Sequence, residues 1–258
     1  MTEQKNHYPR RVRNTLQFRE VTVLRSEIVA SHFQRIVFGG SALAGFSSAG
    51  FDDHSKVFFP QPGVEFVAPQ VTEDGIVWQS DVRPPSRDYT PLFDAARQEL
   101  TLDFYLHADG VASNWARQAQ AGDKLIIGGP RGSLVVPVDY RWQLYLCDET
   151  GMPALRRRLE TLREYGVAAD SVRALVTVSD AASGDYLAHL SEFNIDIRVA
   201  ATEANIAAWL GQWTIPQSDY FIWLTGEGEM IKRIITPLEG KVDAQLLRAV
   251  AYWHQKGE

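Results

Sequence analysis

Arg87, Tyr89 and Thr90 stand close together after a pair of prolines, and their side chains suit a flat ligand that carries phosphates. A guanidinium fixed beside prolines can bind a pyrophosphate through two parallel hydrogen bonds. A tyrosine can cover an aromatic ring, and a threonine hydroxyl can hydrogen-bond a ring nitrogen. Taken alone, this tetrapeptide, which includes Asp88, is typical of a turn leading into a strand.

A second segment follows the apolar run that ends at His107. Gly110, Ala112 and Ser113 lie where the pattern predicts the start of a helix, and free amides together with the helix dipole form an anion site there. Alone, His107 would be a strand-end residue and Ser113 an ordinary helix N-cap. The occurrence of both segments in this order favours a flavin dinucleotide as the ligand.

Arg131 lies in a glycine-rich turn, Gly-Gly-Pro-Arg-Gly over residues 128–132. The glycines of such a turn serve its backbone geometry whatever the function. The arginine has no such backbone role. Alone it could equally be an ordinary exposed surface residue, but beside a flavin site its guanidinium is positioned to attract an anion.

Two segments in the second half of the chain place polar and small residues directly after apolar runs. In a doubly wound sheet this is where a dinucleotide binds. The chain has no G-x-G-x-x-G fingerprint there, and the acidic residues read alone would be solvated charges at helix starts. The candidate residues are Asp148, Glu149, Thr150 and Pro153 in the first segment and Thr225, Gly226 and Glu227 in the second.

The elements that must position these residues change character near residues 137–139. Before that point, short alternating runs separated by turn residues predict an antiparallel β-barrel. After it, apolar strands alternate with helices, which predicts a parallel sheet with helices on both faces. We therefore expect a barrel domain over residues 1–138 and an α/β domain over residues 139–258. The α/β pattern predicts strands at 142–146, 173–179, 195–200, 220–225 and 246–253 and helices at 154–165, 184–192, 204–212 and 229–236.

Composition limits the possible functions. The 26 Lys and Arg against 32 Asp and Glu give a net charge of −6, which argues against sequence-independent binding to nucleic acid. The sequence contains no apolar run of bilayer length and no secretory pattern near residue 1. A single cysteine, Cys147, points to a reducing compartment. We expect a soluble cytoplasmic protein with no membrane partner.

With these motifs in order, the chain resembles the siderophore-interacting protein family of flavoproteins, and within it the NADPH-dependent ferric-siderophore (ferric-chelate) reductases. The resemblance covers nearly the whole chain. It rests on Arg-Val-Arg-Asn at 11–14, Phe-Asp-Asp-His-Ser-Lys-Val at 51–57, Arg-Asp-Tyr-Thr at 87–90, the segment 107–115, Ala-Gly-Asp-Lys at 121–124, Gly-Pro-Arg-Gly at 129–132, the segments 148–154 and 225–227, and Ala-Tyr-Trp at 251–253.

The resemblance implies a six-stranded antiparallel FAD-binding barrel followed by a parallel-sheet NADPH-binding domain, as in ferredoxin reductase-like enzymes. Arg87 and Asp88 would belong to the FAD site, with Arg87 on the phosphates. Tyr89 would pack on the isoalloxazine, and Thr90 would bond near its reactive N5. His107, with Gly110, Ala112 and Ser113, would hold phosphates, and the two segments at 148–153 and 225–227 would line the NADPH crevice. Cys147 and Gly151 depart from the family pattern, which leaves the nucleotide contacts open.

The implied activity is an oxidoreductase step in iron homeostasis. NADPH gives up electrons as a hydride pair whereas Fe(III) accepts one at a time, and FAD converts between the two modes. Fe(II) binds oxygen chelators less tightly, so reduction releases it. The six histidines are scattered, and we expect no iron site in the protein itself. Iron would arrive as an anionic catecholate chelate, for which Lys56 and Arg131 would form a basic pocket.

Two other functions stay open at this point. The chain could be a general flavin oxidoreductase that passes electrons to a protein acceptor, or a carrier that binds a siderophore without catalysis. The sequence does not identify the preferred siderophore, the oligomeric state, or the role of Tyr252 and Trp253. For the 2′-phosphate of NADPH it offers only Arg173 and Arg198 as candidates.

Overall fold

The computed structural model describes residues 7–61, 63, 67–73, 75–78 and 83–255. The chain forms two compact units, one over residues 11–135 and the other over residues 136–255 together with residues 7–10. Within the described ranges, no helix combines the length and the apolar composition needed to cross a bilayer.

The unit over residues 11–135 is built on an antiparallel sheet of seven strands, in the order β7-β4-β10-β2-β3-β9-β8. Two small two-stranded sheets, β1-β11 and β5-β6, accompany it. The elements are β1 (Arg10–Arg13), β2 (Phe18–Ala30), β3 (Phe33–Gly39), β4 (Ser55–Phe58), β5 (Gln70–Thr72), β6 (Gly75–Val77), β7 (Ser86–Tyr89), β8 (Leu92–Asp94), β9 (Glu99–Tyr105), helix α1 (Val111–Gln118), β10 (Lys124–Gly128) and β11 (Gly132–Val135), with a 3₁₀ turn at Ser41–Leu43.

Strand alternation decides which side chains enter the core of this unit. Val21 and Val23 of β2 are buried, whereas Glu20 before them and Leu24 after them are exposed. Alternate residues of a strand point to opposite faces, so one face of the sheet encloses a single apolar cluster. That cluster draws on strands from both halves of the sheet and on helix α1: Val21, Val23, Ile36, Phe38, Val57, Leu100, Leu102, Phe104, Ala112, Ala116, Leu125 and Ile127.

The expected antiparallel unit is confirmed in class, but its sheet has seven strands where six were expected. The extra strand arises because β8 pairs with the start of β9, with Phe93 opposite Leu100. A three-residue strand of this kind is too short to predict from alternation.

The second unit contains the expected parallel sheet, with five strands in the order β14-β13-β12-β15-β16. All four neighbouring pairs are parallel. Counted along the chain, the strand order is 3-2-1-4-5, so the direction of winding reverses between β12 and β15. Its elements are β12 (Trp142–Cys147), α2 (Met152–Glu164), β13 (Val172–Val178), β14 (Ile195–Val199), α3 (Glu203–Leu210), β15 (Tyr220–Glu227), α4 (Gly228–Ile235) and β16 (Leu247–Trp253).

Helix α2 begins with a proline at its first turn and buries Leu155, Leu159 and Leu162, the three leucines whose spacing predicted it. The α-helix expected at 184–192 is instead a 3₁₀ helix, Ala181–Leu190. Asp180 caps it, and serine and glycine early in the segment lower its α-helical propensity.

The boundary between the units lies before Val136, close to the expected position after residue 138. Residues 7–10, which the prediction assigned to the barrel, group with the α/β unit: the Tyr8 hydroxyl donates to Asp243 Oδ2 at 2.9 Å, and the Tyr140 hydroxyl donates to the His7 carbonyl. Arg158, 3% exposed, donates to the carbonyls of Val136 and Pro137. None of these contacts has a signal in the sequence.

Candidate functional site

The predicted flavin segment lies on β7, which is an edge strand of the seven-stranded sheet. Its partner β4 places Val57 opposite Arg87 and Ser55 opposite Tyr89. Directly opposite residues share a face, so Arg87 and Tyr89 lie on the face that carries the apolar cluster. Arg87 is exposed there, and its Nη1 donates to the carbonyl of Ser86 at 2.8 Å.

Tyr89 is fixed against the core by Phe104, with 4.3 Å between the ring centroids and a tilt of 44°. Burial raises the pKa of the Tyr89 phenol above its ordinary value, so the hydroxyl stays protonated and can act as a donor. Thr90 follows with 7% exposure. The strand pairing therefore holds an aromatic face and two hydroxyls in a fixed arrangement at the edge of the sheet.

Ser55 adds a feature that the sequence analysis missed. Its side chain is fully buried opposite Tyr89, and its Oγ has no hydrogen-bond partner in the described part of the chain. A buried hydroxyl without a protein partner is uncommon in folded proteins, and this one is available to form a hydrogen bond with a ligand.

At residues 107–113, where an anion site is predicted, the strand β9 is followed by the start of a helix, as the local pattern predicts. Helix α1 begins after Gly110, and no side chain caps its first turn. Gly110 has φ +150°, and a Cβ built there would lie 2.6 Å from His107 Cε1, so this glycine allows the imidazole to approach the helix start. The buried Ser113 hydroxyl accepts the His107 amide at 3.3 Å.

Arg117 is a second residue that the sequence analysis missed. Its Nη2 donates to the His107 carbonyl at 2.7 Å, and its Nη1 donates to Asn114 Oδ1 at 3.2 Å. One turn after Ser113, this side chain closes the loop between β9 and α1. It also lines a groove of about 850 Å³ with Pro60, Trp115 and Lys124.

Lys56 and Asp88 face each other on the opposite side of the β4-β7 pair from Tyr89. They form an ion pair with 2.8 Å between Nζ and Oδ1, and both side chains are about half exposed. Asp88 is therefore paired with Lys56, a residue predicted to bind the substrate. The role of Asp88 in cofactor binding stays a prediction. Arg131 is exposed three residues beyond the end of β10, whose Gly128 pairs with Lys56.

In the α/β unit, the structure brings Asp148, Thr150 and Gly226 together where the sheet reverses. Asp148 follows β12 and caps the next turn, accepting hydrogen bonds from the amide and the hydroxyl of Thr150. Its Oδ2 accepts the Trp253 indole N–H at 2.7 Å. Burial raises the pKa of Asp148 despite these donors. A Cβ on Gly226 would lie 3.1 Å from Asp148 Oδ2.

The remaining predicted residues of this crevice form hydrogen bonds with different parts of the unit or lie in a helix turn. Glu149 is buried and bridges to the end of β13, where it accepts the amide of Ser179 and its hydroxyl, the latter at 2.7 Å. Thr225 donates to the Val250 carbonyl at 2.7 Å, which joins β15 to β16. Glu227 caps α4 through the Met230 amide at 2.8 Å, and this hydrogen bond lowers the pKa of Glu227. Pro153 lies in the first turn of α2.

Of the two arginines considered for the 2′-phosphate, Arg173 is wrongly placed. It lies at the amino end of β13, where its guanidinium packs over Trp142 and Trp213 at 5.3 and 4.8 Å from the ring centroids. Arg198 lies near the carboxyl end of β14, opposite Thr177, and its Nη2 is 2.7 Å from Asp196 Oδ2. Only Arg198 is at the edge of the sheet where a dinucleotide binds.

Among the described residues, no group of three or more His, Cys, Asp and Glu side chains could hold a metal ion.

Comparisons with known proteins cover both units. Residues 22–134 match the family model described as siderophore-interacting FAD-binding domain, and residues 140–256 match that described as siderophore-interacting protein. The chain is 61% identical, over 96% of its length and 98% of the relative's, to the NADPH-dependent ferric-chelate reductase of Escherichia coli.

Solved structures of two siderophore-related proteins have a similar fold. A siderophore utilization protein from T. fusca superposes with a TM-score of 0.83 at 31% identity, covering 97% of each chain. The siderophore-interacting protein SipS from Aeromonas hydrophila gives 0.73 at 25% identity, covering 94% of this chain and 93% of that one.

Proposed function

The chain belongs to the siderophore-interacting protein family, and we propose from that premise that it is an NADPH-dependent ferric-siderophore reductase that carries FAD. The observation that supports this most directly is full-length similarity, at 61% identity, to a protein named for that activity. Both units needed for the activity are present, one antiparallel with the flavin motifs and one parallel with a crevice for a nicotinamide dinucleotide.

The residues on β7 and α1 fit a flavin dinucleotide. The unpartnered Oγ of Ser55 offers a hydrogen bond to a polar ring edge beside Tyr89. The uncapped start of α1, with the close approach of His107 to Gly110, offers a cradle for phosphate oxygens. When bound, FAD supplies the conversion of a hydride pair into single electrons.

The role of the protein's own residues is to bind and orient the flavin dinucleotide. Arg87 is exposed and free to turn toward a pyrophosphate, because its hydrogen bond to Ser86 is local. Tyr89 keeps its proton and presents a ring held by Phe104, and Thr90 presents a buried hydroxyl. These residues would hold and orient the flavin, and the start of α1 would neutralise phosphate charge.

We place the iron chelate against Lys56 and Arg131. Both side chains of the Lys56–Asp88 ion pair are about half exposed, and exposed pairs contribute at most about 1 kcal/mol to stability. Lys56 can therefore exchange Asp88 for an anionic ligand at little cost. This charge supports a catecholate-type chelate as substrate, brought in already loaded with Fe(III). A cytoplasmic location is part of the same proposal and is supported by the single, buried thiol of Cys147.

An anaerobic stopped-flow experiment tests the function. The purified protein should show an oxidised flavin spectrum, bleach on addition of NADPH, and recover its absorbance when a ferric catecholate is added, with Fe(II) trapped by a ferrous chelator. Fast recovery with an oxidised ferredoxin or flavodoxin as protein acceptor, and none with the chelate, would favour a general oxidoreductase. Chelate binding without any bleaching would indicate a carrier.

A further inference from the structure

Trp253 reaches across the point where the parallel sheet reverses. It ends β16, yet its indole N–H donates to Asp148 at the end of β12. β15 lies between these two strands, and neighbouring strands are about 4.8 Å apart. The indole must therefore cross the end of β15.

Gly226 makes this crossing possible. It lies at the register shift where β15 and β16 come out of step, and it has φ +151°. A side chain there would press on Asp148 Oδ2 at 3.1 Å. With the glycine in place, the indole lies in the crevice, anchored at its nitrogen and still 42% exposed. An aromatic residue that is half exposed yet fixed by a buried carboxylate is already ordered for contact with a ligand.

The strand order indicates which part of a dinucleotide the indole would meet. A doubly wound sheet binds a dinucleotide across the reversal point, with one mononucleotide on each half. The half with β12, β13 and β14 contains Ser179 and Arg198, the side suited to a phosphorylated adenosine. Trp253 belongs to the other half, with β15 and β16.

We propose that Trp253 binds the nicotinamide mononucleotide half of NADPH by aromatic contact, and that Asp148 is a positioning residue that fixes its indole through the N–H hydrogen bond. This inference rests on the proposed function and adds to it a residue pair that selects between the two halves of the cofactor.

Calorimetric titration of the flavin-loaded protein with two ligands tests the proposal. NADP⁺ carries both halves, whereas 2′,5′-ADP carries only the adenosine half. W253A should weaken NADP⁺ binding by about tenfold, the loss expected for one aromatic contact, and leave 2′,5′-ADP binding within twofold of wild type. W253F keeps a ring but loses the N–H donor, so its loss for NADP⁺ should be intermediate.

W213F is the matched control, because Trp213 packs on Arg173 at the amino end of the sheet, and it should bind both ligands as wild type does. Equal weakening of NADP⁺ and 2′,5′-ADP in W253A would show general damage to the unit and overturn the proposal. Wild-type NADP⁺ affinity in W253A would overturn it too, while bleaching of the wild-type flavin by NADPH would still support the reductase function. If wild type bound no NADP⁺, both proposals would fall.

Discussion

Replacing Gly110 by alanine should weaken FAD binding through His107. The new Cβ would lie 2.6 Å from His107 Cε1, well inside contact distance, so the exposed imidazole must move away. In addition, φ +150° at this position lies in a region that costs a non-glycine residue about 1–3 kcal/mol. The perturbation therefore acts on both the side chain proposed to bind phosphate and the backbone at the start of α1.

We expect the stability of the apoprotein to fall by about 1–3 kcal/mol and the Kd for FAD to rise by roughly tenfold, equivalent to about 1.4 kcal/mol. Flavin fluorescence quenching on titration of the apoprotein gives the Kd, and urea unfolding of the same preparation gives the stability.

Gly122→Ala is the matched control. Gly122 also has positive φ, +98°, but a Cβ there has no neighbour within 4 Å. G122A should lose comparable stability and keep the wild-type Kd for FAD. The reasoning would be refuted by an unchanged Kd in G110A, or by the same rise in Kd in both variants, since the second result would trace the effect to backbone strain alone.

Three further predictions concern other parts of the chain. The double variant K56A/R131A should raise KM several-fold for an anionic ferric catecholate and less for a neutral chelate in steady-state assays; equal effects would remove both residues from substrate binding. R158M should lower the free energy of unfolding by about 3 kcal/mol in urea titration, because it leaves buried acceptors such as the Val136 and Pro137 carbonyls without a donor, whereas R163M at the surface should cost little. Because burial raises the folded-state pKa of Asp148, its folded form binds a proton more readily than its unfolded form, so wild-type stability should rise as pH falls through that pKa. D148N should lack this component, and parallel stability curves for D148N and wild type from about pH 4, the ordinary pKa of an aspartate, upward would contradict the assignment.

The sequence predicts the two architectures and most of the α/β elements because their signals are local. The leucines of α2 have helical spacing, and the run over β15 is continuously apolar. The 3₁₀ helix at Ala181–Leu190 and the strand at Leu92–Asp94 were not predicted, since one depends on a cap and the other on a partner strand.

The site was predictable to the same extent. Residues within one motif, such as Tyr89 with Thr90 or His107 with Ser113, come together because the chain is continuous there. Arg117 donates to a backbone carbonyl, and because every residue has one, the sequence does not indicate which carbonyl it will bind. Trp253 donates to Asp148, which lies 105 positions away in the sequence. The misplacement of Arg173 has the same origin, because residue type does not say which end of a strand the side chain will occupy.

The contact between Tyr8 and Asp243 joins residues separated by 235 positions. During translation, Tyr8 is synthesised 235 residues before Asp243, and the whole antiparallel unit is synthesised between them. A nascent chain can complete that unit while its first residues have no surface to dock on, since domains generally fold as they are synthesised. The hydrogen bond that attaches residues 7–10 must therefore wait until Asp243 has been synthesised, and a ribosome-stalled chain ending before residue 243 should leave this segment open to proteolysis.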